Sequence, residues 1–334
     1  MNRLGVGVIG LGYFGSRHAR VYAYHPAAEL KAVCDLDPQA ATAVAAATGA
    51  EGMTDPMALL ARDDIRAVSL CLPDRMHEEV AVAAARAGKA ILLEKPMAHT
   101  AEAAQRIARA VEAGGGRLMV GHILRFDPRY VQVHAAAAPE RLGEVIHLRA
   151  KRNGIRGTAR RLGGASSILF YMGVHDVDAM QWIARSRIAR VYARKRELLG
   201  TGNEDVLYAV VEFESGAIGS LDYSWAWPDG MMNGYRAAFE IVGTHSAASL
   251  DVTDQGFHTI DDGGTAGGDT HLWPEINGRI VGDLADEIDH FVMATLADAP
   301  YLQSWQEALD AIPVLDALAV SAQSGRAVDV DRRT

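Results

Sequence analysis

Glu94-Lys95-Pro96 and Tyr171-Met172-Gly173-Val174-His175-Asp176-Val177-Asp178 are the stretches of this chain whose residue types could move a proton. The first follows an apolar run, Ala90 to Leu93, that reads as a strand. Lys95 thus stands at a strand's carboxyl end, where ligands of open α/β sheets bind. An amine there could hydrogen-bond a substrate hydroxyl and, partly desolvated near a cation, shuttle its proton. Pro96 removes a backbone donor and fixes the turn that aims the lysine. The plainer alternative is a solvated lysine at a strand end. In the second stretch a helix would put Tyr171 and His175 at i,i+4 and His175 and Asp178 at i,i+3, on one face. A phenol, an imidazole and a carboxylate that orients the imidazole are acid–base equipment. The same residues could instead be a helix start with a satisfied core histidine.

Gly10-Leu11-Gly12-Tyr13-Phe14-Gly15 supplies the third element of chemistry, a GxGxxG after a strand-like run and at the start of a helix. The first glycine allows a tight turn, the second lets the backbone approach a pyrophosphate, and the third lets helix pack on strand. The helix N-terminus offers free N–H groups to phosphate. Asp35 ends the next strand, twenty positions after Gly15. A carboxylate there can take both adenosine ribose hydroxyls and repels a 2′-phosphate, which favours NAD over NADP. Asp35 could also be a strand-end turn residue, because Asp37-Pro38 beside it caps a helix.

Positioning these groups falls to alternating strands and helices. Leu4 to Ile9, Leu30 to Cys34, Ala67 to Leu72, Ala90 to Leu93 and Leu118 to Val120 read as strands. Between them Phe14 to Tyr24, Pro38 to Thr48, His77 to Ala87 and Ala101 to Ala113 read as helices, with stops at Gly49, Gly88 and Gly114. Apolar strands separated by helices predict a parallel sheet covered on both faces. After about Arg125 the pattern changes to successive strands: Val145 to Arg152, Ala189 to Arg196, Val206 to Glu214, Ile218 to Trp225, Ala237 to Val242 and Ser249 to Val252. Helices are expected at Met172 to Ala184, Leu284 to Leu296 and Trp305 to Ser324, and a flexible loop at Asp261 to Gly268. The expected fold is an α/β Rossmann domain over residues 1–124. An α+β domain with a large, mostly antiparallel, open-faced sheet follows over 125–334, its last helices packing back on the first domain.

A length of 334 residues suits two domains, and 49% hydrophobic with 22% charged residues is an ordinary globular balance. A net charge of −9 argues against nucleic acid as a partner. No apolar run of membrane-spanning length occurs, and the start lacks the pattern of an export signal. The two cysteines, Cys34 and Cys71, have neither disulfide nor zinc spacing. A cytoplasmic protein with no bound metal and no membrane contact is expected.

Taken together and in this order, the motifs resemble the glucose–fructose oxidoreductase/inositol dehydrogenase family (Gfo/Idh/MocA) over essentially the whole chain. The resemblance rests on the GxGxxG, Leu72-Pro73-Asp74 with His77, Glu94-Lys95-Pro96, Gly121-His122 with Arg125-Phe126, the His175 motif, and the C-terminal helix into Ser324-Gly325-Arg326. It implies that Lys95 and His175 flank a secondary alcohol whose hydride goes to nicotinamide. Gly10, Gly12, Tyr13, Phe14, Gly15, Asp35, Leu72, Pro73, His77, Glu94, Lys95 and His122 would then hold NAD. Arg125, Arg152, Arg156, Tyr171 and Asp178 would meet the substrate. Many members carry Asp four residues before the histidine, where this chain has Tyr171, and three glycines where it has Gly163-Gly164-Ala165. Tyrosine can exchange a proton but cannot hold two hydroxyls as a carboxylate would, so Tyr171 is either catalytic or substrate-binding.

Arg149, Lys151, Arg152, Arg156, Arg160 and Arg161 concentrate positive charge ahead of the histidine helix. They fit an anionic sugar or nucleotide-linked sugar, or, for Arg149 and Lys151, a strand face turned to solvent. Trp225, Trp227 and Trp273 could stack on a sugar ring or belong to a core or interface. A one-sided sheet needs its other face covered, and the resemblance implies a homodimer or homotetramer formed through it. The function expected is an NAD-dependent dehydrogenase or ketoreductase of a sugar, sugar derivative or cyclitol. The alternatives are a glycoside-cleaving enzyme using transient oxidation with no net redox, and a non-catalytic NAD-bound sensor or scaffold.

Overall fold

Strand and helix periodicity carries through to the three-dimensional structure, a computed structural model that describes residues 3–262 and 264–332. Two units divide the chain, one of residues 1–126 and 272–309, the other of 127–271 and 310–334.

In the first unit, β1 (Leu4–Ile9), α1 (Gly15–Tyr24), β2 (Ala28–Cys34), α2 (Pro38–Thr48), β3 (Glu51–Met53), α3 (Pro56–Leu60), β4 (Ala67–Leu70), α4 (His77–Arg86), β5 (Ala90–Glu94), α5 (Ala101–Ala113) and β6 (Leu118–Gly121) follow in order. The sheet order is β3-β2-β1-β4-β5-β6 with every pair parallel. Strand order reverses between β1 and β4, and the loops leaving their carboxyl ends open the crevice where such sheets take ligands. Asp37 and Thr100 cap α2 and α5 by accepting backbone N–H bonds from Gln39 and Ala103. Gly49 and Gly88 end their helices in the left-handed conformation, but after α5 that role falls to Gly115, with Gly114 right-handed.

The sequence pattern predicts five strands, and the sixth is β3. Three mostly exposed residues with a central glycine leave no apolar run to detect, and α3 is a single turn capped by Asp55. Helix Asp283–Leu296 belongs to this unit. Its Leu284, Ile288, Phe291 and Val292 are buried in one cluster with Leu4, Val6, Val8, Ala19 and Leu92. Each such side chain contributes about 1.5–3 kcal/mol as an upper estimate.

The second unit contains α6 (Pro128–Ala136), α7 (Pro139–Leu142), β7 (Val145–Ile155), α8 (Arg156–Leu162), α9 (Val174–Ala184), β8 (Ile188–Arg196), β9 (Val206–Phe213), β10 (Ile218–Trp227), β11 (Tyr235–Gly243), β12 (Ala247–Asp251), β13 (His258–Asp261) and β14 (Gly264–Gly267). Its sheet runs β12-β11-β7-β10-β9-β8 and ends on the strand Val328–Asp329. Only the central β7–β10 pair is parallel. Burial alternates residue by residue along β9, so one face packs while the other carries exposed Tyr192, Tyr208, Val210 and Ile218.

Two expectations are corrected here. The stretch Asp261 to Gly268, read as a loop, is mostly hairpin, because β13 pairs antiparallel with β14; Gly263, like Met1 and Asn2, lies outside the described residues. The strand expected to end at Arg152 runs on to Ile155, where α8 takes over at Arg156.

Candidate functional site

The loop between β1 and α1 is shaped by two glycines that nothing else can replace. Gly10 has φ +87°, and a Cβ there would stand 2.5 Å from the Cys71 carbonyl oxygen; at Gly15 it would stand 1.7 Å from the Gly10 carbonyl oxygen. Gly12 is different, with no atom of the other described residues within 4 Å of the position its Cβ would take. The turn and the helix contact therefore require Gly10 and Gly15, while Gly12 leaves an open approach to backbone. That is the cradle a pyrophosphate needs, and NAD fits it.

Asp35 does two things at the end of β2. Its Oδ2 accepts the Leu11 N–H at 2.7 Å, which ties the strand to the glycine loop, and its Oδ1 accepts the Asp37 N–H at 2.9 Å. Helix capping is done by Asp37, not Asp35. Tyr13 is 57% exposed; the Arg17 guanidinium lies 3.6 Å from its ring centre, and Phe14 packs edge-on against Trp273 at 5.3 Å.

His77 fastens the next two loops to each other. Nε2 lies 2.9 Å from the Leu72 carbonyl oxygen and Nδ1 lies 2.9 Å from that of Pro96, so Leu72-Pro73 and Glu94-Lys95-Pro96 share one anchor. Burial pushes the imidazole pKa down, and the two carbonyls oppose that shift without reversing it. Lys95 is partly buried at the end of β5, and the Lys95–Pro96 bond is cis. His122 and Arg125 are buried after β6, with Arg125 Nη1 donating to Glu307 at 3.2 Å.

Beneath Glu94 runs a polar chain that the sequence reading missed. His18 Nε2 meets Glu94 Oε1 at 3.1 Å, His18 Nδ1 meets Ser69 Oγ at 3.2 Å, and Tyr22 Oη meets Ser69 Oγ at 2.8 Å. Burial alone would raise the Glu94 carboxyl pKa. The His18 hydrogen bond and the charges of His18 and Lys95 outweigh it and hold the pKa below the ordinary carboxylate value. The available signal was the i,i+4 pair His18 and Tyr22 flanking the buried Ala19 of α1, and a serine inside the apolar run of β4.

In the second unit the histidine motif is built on a correction. Helix α9 starts at Val174, not Met172, and follows a π-helical turn, Leu169–Gly173. The wider i→i+5 turn takes Tyr171 out of the i,i+4 register with His175, while His175 and Asp178 keep their i,i+3 spacing within α9. The turn sits close to the sheet. A Cβ on Gly173 would come 3.2 Å from the Tyr223 ring, and the Tyr171 ring lies 5.8 Å from Trp225, itself core.

Arg152 lies buried in the second unit. Expected on the substrate, its guanidinium is committed inside the protein: Nε and Nη2 donate to the Asp176 oxygens at 3.0 and 2.8 Å, and Nη2 also donates to Tyr130 Oη at 3.1 Å. Burial alone would lower the Arg152 pKa, but the Asp176 carboxylate drives it well up. Sequence alternation held the clue, because Arg152 is out of phase with Arg149 and Lys151 on β7. Those two, with Arg236, line an open groove of about 350 Å³ on the other face of the sheet. Arg156 is exposed, its Nε donating to the Ala226 carbonyl at 3.0 Å. Asp178 is buried and His175 partly so.

The predicted residues thus gather in two groups. Gly10, Gly12, Gly15, Asp35, Leu72, Pro73, His77, Glu94, Lys95 and His122 lie at the carboxyl edge of the parallel sheet; Tyr171, His175 and Asp178 lie along the π turn and α9. Among the described residues no group of three or more His, Cys, Asp or Glu side chains could hold a metal ion, and no helix is long and apolar enough to cross a membrane.

Comparison with known proteins adds to this geometry. Residues 4–122 match the oxidoreductase family with an NAD-binding Rossmann fold, and residues 130–249 match the Gfo/Idh/MocA C-terminal domain. The chain is 33% identical to inositol 2-dehydrogenase 2 of Saccharopolyspora erythraea over 74% of its length and 73% of that protein. It is 28% identical to the 2,7-anhydro-N-acetylneuraminate hydratase of Escherichia coli, covering 76% of this chain and 72% of that one. Among solved structures, GenD2 from gentamicin A biosynthesis in complex with NAD superimposes with a TM-score of 0.84 at 28% identity, over 99% of this chain and 97% of the other.

Proposed function

Because the chain belongs to the Gfo/Idh/MocA family of NAD-binding oxidoreductases, we propose that it is an NAD-dependent dehydrogenase that interconverts a secondary alcohol and a ketone on a cyclitol or sugar. The observation that carries this reading is Glu94-Lys95-Pro96, anchored by His77 beside the glycine loop in one unit. Bound NAD supplies the hydride acceptor at the carbinol carbon. Gly12 and the start of α1 receive its phosphates, and Asp35 takes the adenosine ribose. Lys95 Nζ holds the substrate hydroxyl and takes its proton as the carbinol hydrogen leaves with its electron pair; His175 orients the same oxygen. Tyr171 and Asp178 contact the remaining hydroxyls. The relatives named for inositol 2-dehydrogenation favour a cyclitol.

The exposed sheet face supports a homodimer or homotetramer, since Tyr192 and Val210 are register partners on it. Two free cysteines suit a cytoplasmic setting.

The test is NADH absorbance across inositols, sugars, sugar acids and nucleotide sugars, with light scattering for the assembly. Net NADH with an inositol or sugar supports the proposal; no net NADH with any of them overturns it. Similarity to a hydratase favours one second reading, transient oxidation with elimination and no net redox. Glycoside cleavage that needs NAD yet accumulates no NADH would select it.

A further inference from the structure

Helix Asp283–Leu296 sends a second carboxyl group, Glu287, into the core of the first unit, 1% exposed, where its Oε1 has no hydrogen-bond partner among the described residues. It stands beside Glu94. A Cβ built on Gly121 would lie 3.5 Å from Glu287 Oε1 and 3.6 Å from Glu94 Oε1, so both oxygens close on one small space that a glycine keeps open. Glu94 is the member with a side-chain partner, the His18 imidazole, whose Nε2 lies at 3.1 Å. The groups that face Glu287 are Glu94 from β5, Cys71 from the loop after β4, Tyr22 from α1 and Asp283 from its own helix. None is a cation. Two buried carboxylates closing on one space are a poor arrangement in a low-dielectric core.

We propose that Glu287 is a neutral carboxylic acid that backs the Glu94 carboxylate, a positioning residue that keeps one negative charge, not two, next to Lys95. Burial, then Glu94, then Asp283 push the Glu287 pKa well above the ordinary carboxyl value. The proton it retains lets Glu94 stay ionised and bonded to His18, which fixes the turn that carries Lys95. The consequence for catalysis rests on the proposed dehydrogenase reading; the protonation and the coupling do not.

The test uses the full-length protein and three chains: wild type, Glu287→Gln, which is isosteric with the neutral acid, and Glu94→Gln. Infrared difference spectroscopy over a pH titration should show a protonated-carboxyl band at neutral pH that Glu287→Gln removes. In Glu94→Gln, with the neighbouring charge gone, that band should titrate at lower pH than in wild type. Urea unfolding gives an independent reading. A folded-state pKa raised above the unfolded value makes wild type lose stability as pH rises above the unfolded carboxyl pKa of about 4.3. The ratio of folding constants, Glu287→Gln over wild type, should therefore climb about tenfold per pH unit until Glu287 itself ionises. A band that survives Glu287→Gln, a titration unmoved in Glu94→Gln, or a flat stability ratio overturns the proposal. If none of the alcohols supports NAD reduction by wild type while these results hold, the dehydrogenase reading fails and the buried acid stands.

Discussion

Asp176 accepts two hydrogen bonds from Arg152, at 2.8 and 3.0 Å, and both side chains are buried. The pair joins α9 to β7 at the residue next to His175.

Removing one partner leaves a buried charge uncompensated. Arg152→Met should cost about 3–5 kcal/mol of unfolding free energy, and Arg152→Met combined with Asp176→Leu should recover most of it. Urea denaturation of the two variants and wild type checks both halves; a single variant as stable as wild type would rule out the pair as an anchor.

Lys95→Ala should bind NAD within about threefold of wild type and lose about 10²–10⁴ in turnover, the range expected for loss of a positioned proton carrier. Intrinsic fluorescence follows the binding and NADH absorbance the turnover. Wild-type activity in this variant would take the lysine out of the mechanism.

The glycine loop separates fold from cofactor. Gly12→Ala has room for its methyl, so its melting temperature should match wild type while NAD affinity falls at least about tenfold as the methyl meets phosphate. Gly15→Ala drives a methyl into the Gly10 carbonyl and should lose about 1–3 kcal/mol or more in stability before any ligand is added. Equal stability of the two variants would contradict the loop geometry.

Asp35→Ser should weaken NAD by about 10–100-fold, the scale of a lost charged hydrogen bond, and narrow the preference over NADP. Competitive titration with both dinucleotides measures this. An unchanged NAD preference would put the adenosine end elsewhere.

His77 gives a pH signature. Its folded pKa lies below the unfolded value of about 6.5, so below that pH the unfolded chain binds a proton that the folded one refuses. Stability should therefore fall as pH drops from about 7 through the folded pKa, and more steeply in wild type than in His77→Asn. Thermal melts across that range provide the comparison, and parallel curves would remove His77 as the cause.

The parts of this protein legible from sequence are those where period and chemistry coincide. Helices α2 and α5 fall on their predicted residues because Asp37-Pro38 and Thr100 announce their starts. The glycine loop and Asp35 were legible because spacing alone places them. Strand β3 was not, since three mostly exposed residues carry no pattern, nor was the π turn, because an i→i+5 bond leaves no trace in an apolar period. The Arg152–Asp176 pair was not legible either, since its members stand 24 positions apart and only the fold joins them. A far longer separation in the chain hides Glu287 from Glu94.

Residues 272–309 have a practical consequence for anyone wishing to move the dinucleotide-binding portion between proteins. A fragment ending at Phe126 would lack Leu284, Ile288, Phe291 and Val292, and so would present bare apolar surface where helix Asp283–Leu296 now lies. Such an excised piece should precipitate on expression. A transplantable cassette must carry the distant C-terminal segment with it, spliced through a short artificial linker.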